Sequence, residues 1–354
     1  MNVFAHLTSL EYGEVHFARD AATGLKAIVA IHDTRLGPAL GGCRFIPYPH
    51  EELALIDALR LARGMTYKAA ISNIPHGGGK SVILRPAGKL DREGLFRAFG
   101  RFVDGLSGRY ITAEDSGTAV EDMETIRSVT PHVTGVKAEH GGSGDPSPFT
   151  AFGVRRGLEA AVQLSMGRKS LDGVHVSVQG VGHVGYYLCK ELHALGAKLT
   201  VTDVDKTRVE RVKNEFGAAV VGNDDIFAVE ADVFAPCALG AILDDATIPQ
   251  LKVKAVAGAA NNQLAEPRHG EMLLSRGIFY APDYAINAGG LYNVAAEHEL
   301  SRTKQAYDAS KVREKVSRIY DTIFEIGERA KKTGETTAKV ADKIVEERLA
   351  KAGK

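Results

Sequence analysis

Apolar positions along this chain change their period repeatedly, and each change marks an element. Lys26 to His32 (KAIVAIH) is a run of β-branched and apolar residues that predicts a strand. Glu51 to Arg63 carries apolar residues at helical spacing, with acids at its start and arginines at its end, as the helix dipole favours. A strand follows over Ser81 to Leu84, a helix over Arg92 to Leu106 and a strand over Arg109 to Thr112. This alternation predicts an α/β layer. The stretch His140 to Pro148, rich in glycine, serine and proline, reads as a loop and a domain linker. Beyond it come a helix over Phe149 to Gln163, strands at Val174 to Val178 and Lys198 to Thr202, and short apolar runs at 232–234, 255–257 and 278–281. After Gly290 the pattern is helical: Lys311 to Lys332, a stop at Gly334, then Thr336 to Lys351. No internal repeat or low-complexity segment interrupts it.

The strand Val174–Val178 runs into Gly180-Val181-Gly182-His183-Val184-Gly185, a helical pattern follows, and the next strand ends on Asp203, 23 positions beyond Gly180. The three glycines serve a tight turn, a close approach of backbone to a pyrophosphate, and close packing of helix on strand. The phosphates would meet the free N–H groups of the helix that begins at His183. Asp203 stands where a carboxylate accepts hydrogen bonds from ribose hydroxyls and repels a 2′-phosphate, which selects NAD over NADP. Lys206 and Arg208 are the nearby cations that argue the other way. A merely structural βα turn is the plainer use of such glycines. The expected architecture is therefore two α/β domains. A substrate-binding domain takes residues 1–140 plus 331–354, and a Rossmann-type doubly wound domain that binds the dinucleotide takes 141–330. The C-terminal helices cross back to the first.

Composition narrows the partners. The 354 residues suffice for two ordinary domains, and 44% apolar with 25% charged residues is the profile of a soluble globular chain. Lys+Arg and Asp+Glu both number 44, so no basic excess exists to hold nucleic acid or an acidic membrane. No stretch approaches the ~18 apolar residues of a membrane span. Cys43, Cys189 and Cys237 are far apart, with no metal-ligand spacing, and read as reduced thiols. The N-terminus, MNVFAHLTSLEYGEVHF, lacks the basic and apolar regions of a secretory signal. A cytoplasmic protein without a metal is expected.

Chemistry gathers at two lysines. Lys68 closes Gly64-Met-Thr-Tyr-Lys directly after the Glu51–Arg63 helix, and Lys80 closes His76-Gly-Gly-Gly-Lys before a strand. Three glycines beside a lysine free the backbone for a small ligand. A lysine crowded by a second cation and withdrawn from water loses its proton readily and can act as a base. Two lysines in exposed glycine loops are the plainer alternative. Glu114 and Asp115 end a predicted strand, where α/β folds place reacting groups, although either acid also suits a helix N-cap. Asn261 and Asn262 follow another predicted strand, placed either to contact a ligand or to form an Asx turn.

Taken together, the blocks Leu36–Arg44, Arg63–Lys68, His76–Lys80, Arg109–Asp115, Ala235–Gly240, Gly258–Gln263 and Ala281–Gly290 resemble the family of leucine, valine, phenylalanine and glutamate dehydrogenases. The match is closest to the leucine/valine branch and runs over nearly the whole chain. The resemblance implies reversible oxidative deamination of an L-amino acid to its 2-oxo acid and ammonium, with NAD as cofactor. By the family pattern Lys68 would hold the substrate carboxylate, Lys80 would activate water and Asp115 would move protons to and from the amino group. Gly41 and Gly77 would offer backbone to the substrate. Asn262, with Asn261 beside it, would position substrate or nicotinamide, and Thr150 would contact the carboxamide. Ala238, His183 and Val184 would join the glycines and Asp203 around the cofactor. A cleft between the domains would close to exclude water. His76 would support the site without taking part.

Leu40, Ala113, Leu291 and Val294 would line the side-chain pocket. Ala113 fits the aliphatic branch, whereas Leu291 also occurs in aromatic-specific relatives. One methylene changes binding by only about 1–3 kcal/mol, so leucine, valine and isoleucine are expected and phenylalanine or tryptophan stays open. A homo-oligomer, dimer or octamer, is expected. A hydroxy-acid dehydrogenase would leave the glycine–lysine run unexplained. A non-catalytic sensor would have no use for Lys68, Lys80 and Asp115 together.

Overall fold

The computed structural model of the chain describes residues 4, 7, 8, 13–88, 90–303 and 305–353. The N-terminal stretch read for a secretory signal lies largely outside them. The chain packs as two α/β units, one of Met1–Asp145, Asn293–Ala309 and Val345–Lys354, the other of Pro146–Tyr292 and Ser310–Ile344.

The first unit holds a mixed sheet in the order β1-β2-β4-β3-β5, formed by Glu14–Asp20, Leu25–Asp33, Ala39–Ile46, Gly77–Leu84 and Tyr110–Glu114 as β1 to β5. β3 runs parallel to both β4 and β5, while β1/β2 and β2/β4 are antiparallel. The two-residue period of β2 divides its apolar run between two faces. Leu25, Ala27, Val29 and Ile31 join Leu95, Phe96, Phe99 and Ile126 from the helices Arg92–Asp104 and Val120–Arg127. Ile28 and Ala30 face Ala54, Leu55, Ala58 and Leu59 of the helix Glu51–Ile71.

Two elements run longer than their sequence pattern predicts, and both extensions carry candidate site residues. The first helix continues past Arg63 to Ile71, so Lys68 rides in its last turn instead of following it. Gly64 within a helix costs about 1 kcal/mol relative to alanine, and burial of Thr66, Tyr67, Ala69, Ala70 and Ile71 outweighs it. Arg348, from the returning C-terminal helix, donates to the carbonyls of Ala70 and Ile71 at 2.8 and 2.6 Å, a cation at the negative end of that helix. The second extension is β4, which begins at Gly77 and so includes the three glycines expected in a loop. They are required by the protein's own packing: a Cβ would lie 1.9 Å from the Asp33 carbonyl at Gly77, 2.1 Å from the Thr66 amide at Gly78, and 2.7 Å from the Tyr110 ring at Gly79.

The second unit holds six parallel strands in the order β11-β10-β9-β6-β7-β8, with His175–Gln179, Lys198–Thr202, Ala219–Val220, Val233–Pro236, Ala255–Val256 and Phe279–Tyr280 as β6 to β11. Counted within the unit this is 3-2-1-4-5-6 from β8, the doubly wound dinucleotide-binding arrangement. The helix expected over Lys311 to Lys332 is two helices, Ala309–Ser317 and Ile319–Thr333. They are separated by a tightened turn in which the Arg318 amide donates to the Lys315 carbonyl at 3.2 Å. Gly334, at φ +72°, ends the second of them as expected.

Segment 293–309 groups with the first unit and 331–344 with the second, which differs from the expected boundaries. Thr337 donates to the Tyr280 carbonyl at 2.6 Å and Tyr284 to Asp342 at 2.7 Å, tying the start of the last helix, Thr337–Ala352, to the second unit. Among the described residues no helix is long and apolar enough to cross a membrane.

Candidate active site

In the first unit Lys80 and Asp115 meet although a whole strand separates them. Lys80 lies on β4, Asp115 directly follows β5, and β3 runs between. The side-chain ammonium donates to Asp115 Oδ2, with Lys80 only 4% exposed. Gly42, on the intervening strand, makes this contact possible: a Cβ there would lie 2.7 Å from Asp115 Cβ and 3.0 Å from Oδ2. Asp115 Oδ1 accepts from Arg44 Nε at 3.2 Å and from the Ser116 amide at 2.6 Å. Burial alone would raise the Asp115 pKa, but Lys80 and Arg44 overcome it and hold the carboxyl well below the usual carboxylate range.

This corrects the expected environment of Lys80. The group against its ammonium is a carboxylate, not a second cation. Neither acid at the end of β5 caps a helix: Glu114 is exposed, and Asp115 opens a turn closed by Thr118, whose hydroxyl accepts from the Asp115 amide at 2.8 Å. The next helix, Val120–Arg127, has its N-terminal amide at Ala119 bound by Asp122 at 2.8 Å.

Leu40 and Gly41 on β3, Gly77 on β4 and Ala113 on β5 lie on these same three adjacent strands. Leu40 and Ala113 are buried, at 1% and 6% exposure. Gly41 offers its carbonyl to the buried Tyr110 hydroxyl at 2.6 Å. Lys68 is half-buried on the helix that packs against β4. Val294 is a half-buried member of this unit. His76, immediately before β4, is buried and hydrogen-bonded through Nε2 to His298 Nδ1 at 2.9 Å.

In the second unit the glycine turn has the geometry of a pyrophosphate cradle. Gly180 sits at φ +90°, and a Cβ on it would strike Ala238, 2.7 Å from its Cβ. A Cβ on Gly185 would lie 2.0 Å from the Gly180 carbonyl, so this glycine seats the helix His183–Ala194 on the strand. Gly182, by contrast, faces space; its nearest neighbour is an Arg208 guanidinium nitrogen at 3.6 Å. His183 is exposed and Val184 half-buried at the start of the helix. Asp203 follows β7, accepting from the Val181 amide at 2.7 Å and the Asp205 amide at 2.9 Å, which ties the acid to the turn. Thr150 donates to the Pro146 carbonyl at 3.1 Å and packs beside Gly290. Asn261 Oδ1 accepts from Asn287 at 2.7 Å, Asn262 adopts φ +51°, and both residues are exposed. Leu291 is buried in this unit. The open backbone at Gly182, the helix N-terminus and the anchored acid fit a dinucleotide.

The comparisons with known proteins agree with this geometry. Residues 12–132 match the Glu/Leu/Phe/Val dehydrogenase dimerisation domain, and residues 141–207 and 199–354 match the Glutamate/Leucine/Phenylalanine/Valine dehydrogenase domain. The chain belongs to this family. It is an amino-acid dehydrogenase, and the family uses a nicotinamide dinucleotide. The leucine dehydrogenase of Geobacillus stearothermophilus is 53% identical to it over 349 residues, 99% of this chain and 94% of that protein. A phenylalanine dehydrogenase of Caldalkalibacillus thermarum is 47% identical, covering 96% of this chain and 92% of its own. The crystal structure of L-tryptophan dehydrogenase from Nostoc punctiforme superposes with a TM-score of 0.86 at 46% identity, covering 99% of both chains.

Two groups of the dehydrogenase were not singled out from the sequence. Arg44 stood at the end of a quoted block without a role; its position two residues after Gly42 on one strand is the signal that places both on one face. Glu297 is 4% exposed on the helix Gly289–Thr303 and accepts from the amides of Gly135, Val136 and Ser143 and the Ser143 hydroxyl. An acid among alanines, valine and tyrosine in a helix was its only trace.

Proposed function

We propose that the chain catalyses the NAD-dependent oxidative deamination of a branched-chain L-amino acid, leucine, valine or isoleucine, to the 2-oxo acid and ammonium. The observation that carries this reading is the buried Lys80–Asp115 pair formed across Gly42. Lys68 would fix the substrate carboxylate by its charge. The amino group must be neutral before hydride leaves Cα, and Asp115 is the acceptor on hand for its proton. The nicotinamide, when bound, supplies the acceptor for that hydride. Lys80, once its ammonium proton has passed to solvent, takes a proton from the water that adds to the iminium carbon. Asp115 returns its proton to the amine nitrogen, and as the C–N bond breaks the hydroxyl proton passes to the departing ammonia, so that ammonium leaves and the 2-oxo acid remains.

Leu40, Ala113 and Val294 of the first unit are apolar and would suit a branched aliphatic side chain, and Leu291 of the second unit is likewise apolar. Greater identity to the leucine enzyme than to the aromatic ones supports the same choice. For the cofactor, Asp203 supports NAD: a carboxylate held by the Val181 amide would repel a 2′-phosphate. Of the two cations that argue for NADP, Lys206 and Arg208, the latter is engaged by Asp205 at 3.2 Å. Gly180, Gly182, His183, Val184, Gly185, Ala238, Thr150 and Asn261 would complete the cofactor site, and Asn262, Gly41 and Gly77 the substrate site. The match of residues 12–132 to a dimerisation domain supports a homo-oligomer, and we place the enzyme in the cytoplasm on its unbridged thiols.

A panel of L-amino acids with NAD⁺ and with NADP⁺, followed by absorbance of the reduced cofactor, tests the proposal. Leucine, valine and isoleucine with NAD⁺ should each exceed phenylalanine and tryptophan in kcat/KM by at least about tenfold, an edge worth roughly 1.4 kcal/mol. Preference for an aromatic amino acid would replace the substrate assignment, and preference for NADP⁺ would remove the role given to Asp203.

A further inference from the structure

The two oxygens of Asp115 answer to different cations, Oδ2 to Lys80 and Oδ1 to Arg44. Arg44 is itself anchored. Its Nη1 donates to Asp57 Oδ2 at 2.8 Å, and the same oxygen accepts from the Tyr48 hydroxyl at 2.5 Å. A guanidinium is a rigid planar fork, so fixing one edge on Asp57 also fixes the direction of the Nε–H that meets Asp115. Three places in the chain build this brace: β3 supplies Arg44, the segment after β3 supplies Tyr48 and the helix Glu51–Ile71 supplies Asp57. The side chains of Arg44 and Asp115 are only 22% and 17% exposed, so solvent screens their attraction incompletely.

The reaction gives this brace a purpose. Whenever Lys80 surrenders its proton, Asp115 would be left as a buried carboxylate without a counter-charge. Arg44 remains charged throughout, because a guanidinium does not deprotonate in proteins. We propose that Arg44, held by Asp57 and Tyr48, is a positioning residue that restores Asp115 to its carboxylate form between proton transfers and keeps it aimed at Lys80 while Lys80 changes its charge. The inference rests on Lys80 and Asp115 being the acid–base pair of the reaction proposed above.

The test compares kcat and KM across pH for the wild type, Arg44→Met, Arg44→Lys and Asp57→Asn, with the wild type's preferred amino acid and NAD⁺. Arg44→Met should lower kcat by about ten- to a hundredfold, the cost of a loosened reacting group. It should also move the acid limb of the kcat profile to higher pH, since Asp115 then protonates more readily. KM for the amino acid should stay within about threefold, because the substrate carboxylate is held elsewhere. Arg44→Lys should restore much of the acid limb by its charge, and Asp57→Asn should shift it the same way as Arg44→Met by less. Wild-type kcat and acid limb in both Arg44→Met and Asp57→Asn would overturn the inference, as would a fall in kcat with an unmoved limb. If Arg44→Met does not fold, Asp57→Asn decides. An active wild type with unshifted variants sinks the role of Arg44 alone. A wild type that oxidises no amino acid sinks the reaction and this inference with it.

Discussion

Lys80 shows how far a residue type leads and where geometry takes over. Its neighbourhood of glycines marked it as a reacting group, yet those glycines serve strand packing, and its partner is a carboxylate 35 positions away. The strand end offered two acids, Glu114 and Asp115, and only the family resemblance favours Asp115. Gly42, the residue whose missing side chain lets Lys80 and Asp115 meet, could be understood only once β3 was seen between them. Lys80→Ala should abolish turnover, with kcat reduced by at least about a hundredfold, the lower end for loss of a general base. NADH affinity by fluorescence titration should be unchanged, since that ligand is assigned to the second unit. A near-normal rate would remove Lys80 as the base. The same variant leaves Asp115 without its lysine, so the acid limb of any residual activity should also rise in pH.

Among the elements, the extended first helix and the glycine-bearing strand β4 teach the same lesson. Local pattern ended the helix at Arg63 and started the strand at Ser81, because Gly64 and Gly77–Gly79 carry poor intrinsic propensity. Burial on both elements overrides that weak preference. The helix Gly289–Thr303 adds a feature that no periodicity announces: Glu297 gathers the amides of Gly135, Val136 and Ser143 into one carboxylate. These donors belong to irregular backbone that has no ladder of its own, so the carboxylate satisfies groups that would otherwise be buried unpaired. Glu297→Gln turns an amide NH₂ toward N–H donors. It should cost roughly 2–4 kcal/mol in urea unfolding, as loss of a buried charged acceptor does. An unchanged midpoint would show that water serves these amides as well.

Acid should weaken the molecule as a whole, and the buried histidine pair says in which range. Burial, with His298 and Arg302 adding to it, pushes His76 down to about 4 from 6.5, and His298 is lowered by burial, Arg302 and His132 against an opposing Glu299. Unfolding frees His76 to bind its proton near pH 6.5, so the unfolded state holds more protons between pH 6.5 and 4. Stability is therefore full above that window and falls as pH drops through it, by up to about 3 kcal/mol for His76. Thermal unfolding followed from pH 7 to 4 should show this slope, and His76→Leu should flatten it; an equal slope in the variant would assign acid lability elsewhere. At this scale the amino-acid order alone specified the two α/β units, the doubly wound sheet and the glycine turn with Asp203, which follow from period, turn chemistry and spacing within some thirty residues. Lys80 and Asp115 stood out as candidates, and their roles are those the family resemblance implies. The packed chain alone decided that Gly42 vacates the space between Lys80 and Asp115, that Arg44, Asp57 and Tyr48 are linked to the carboxylate, and that segment 293–309 joins the first unit while 331–344 stays with the second. Those outcomes depend on which distant strands become neighbours, and contact across a sheet leaves no period in the chain that forms it.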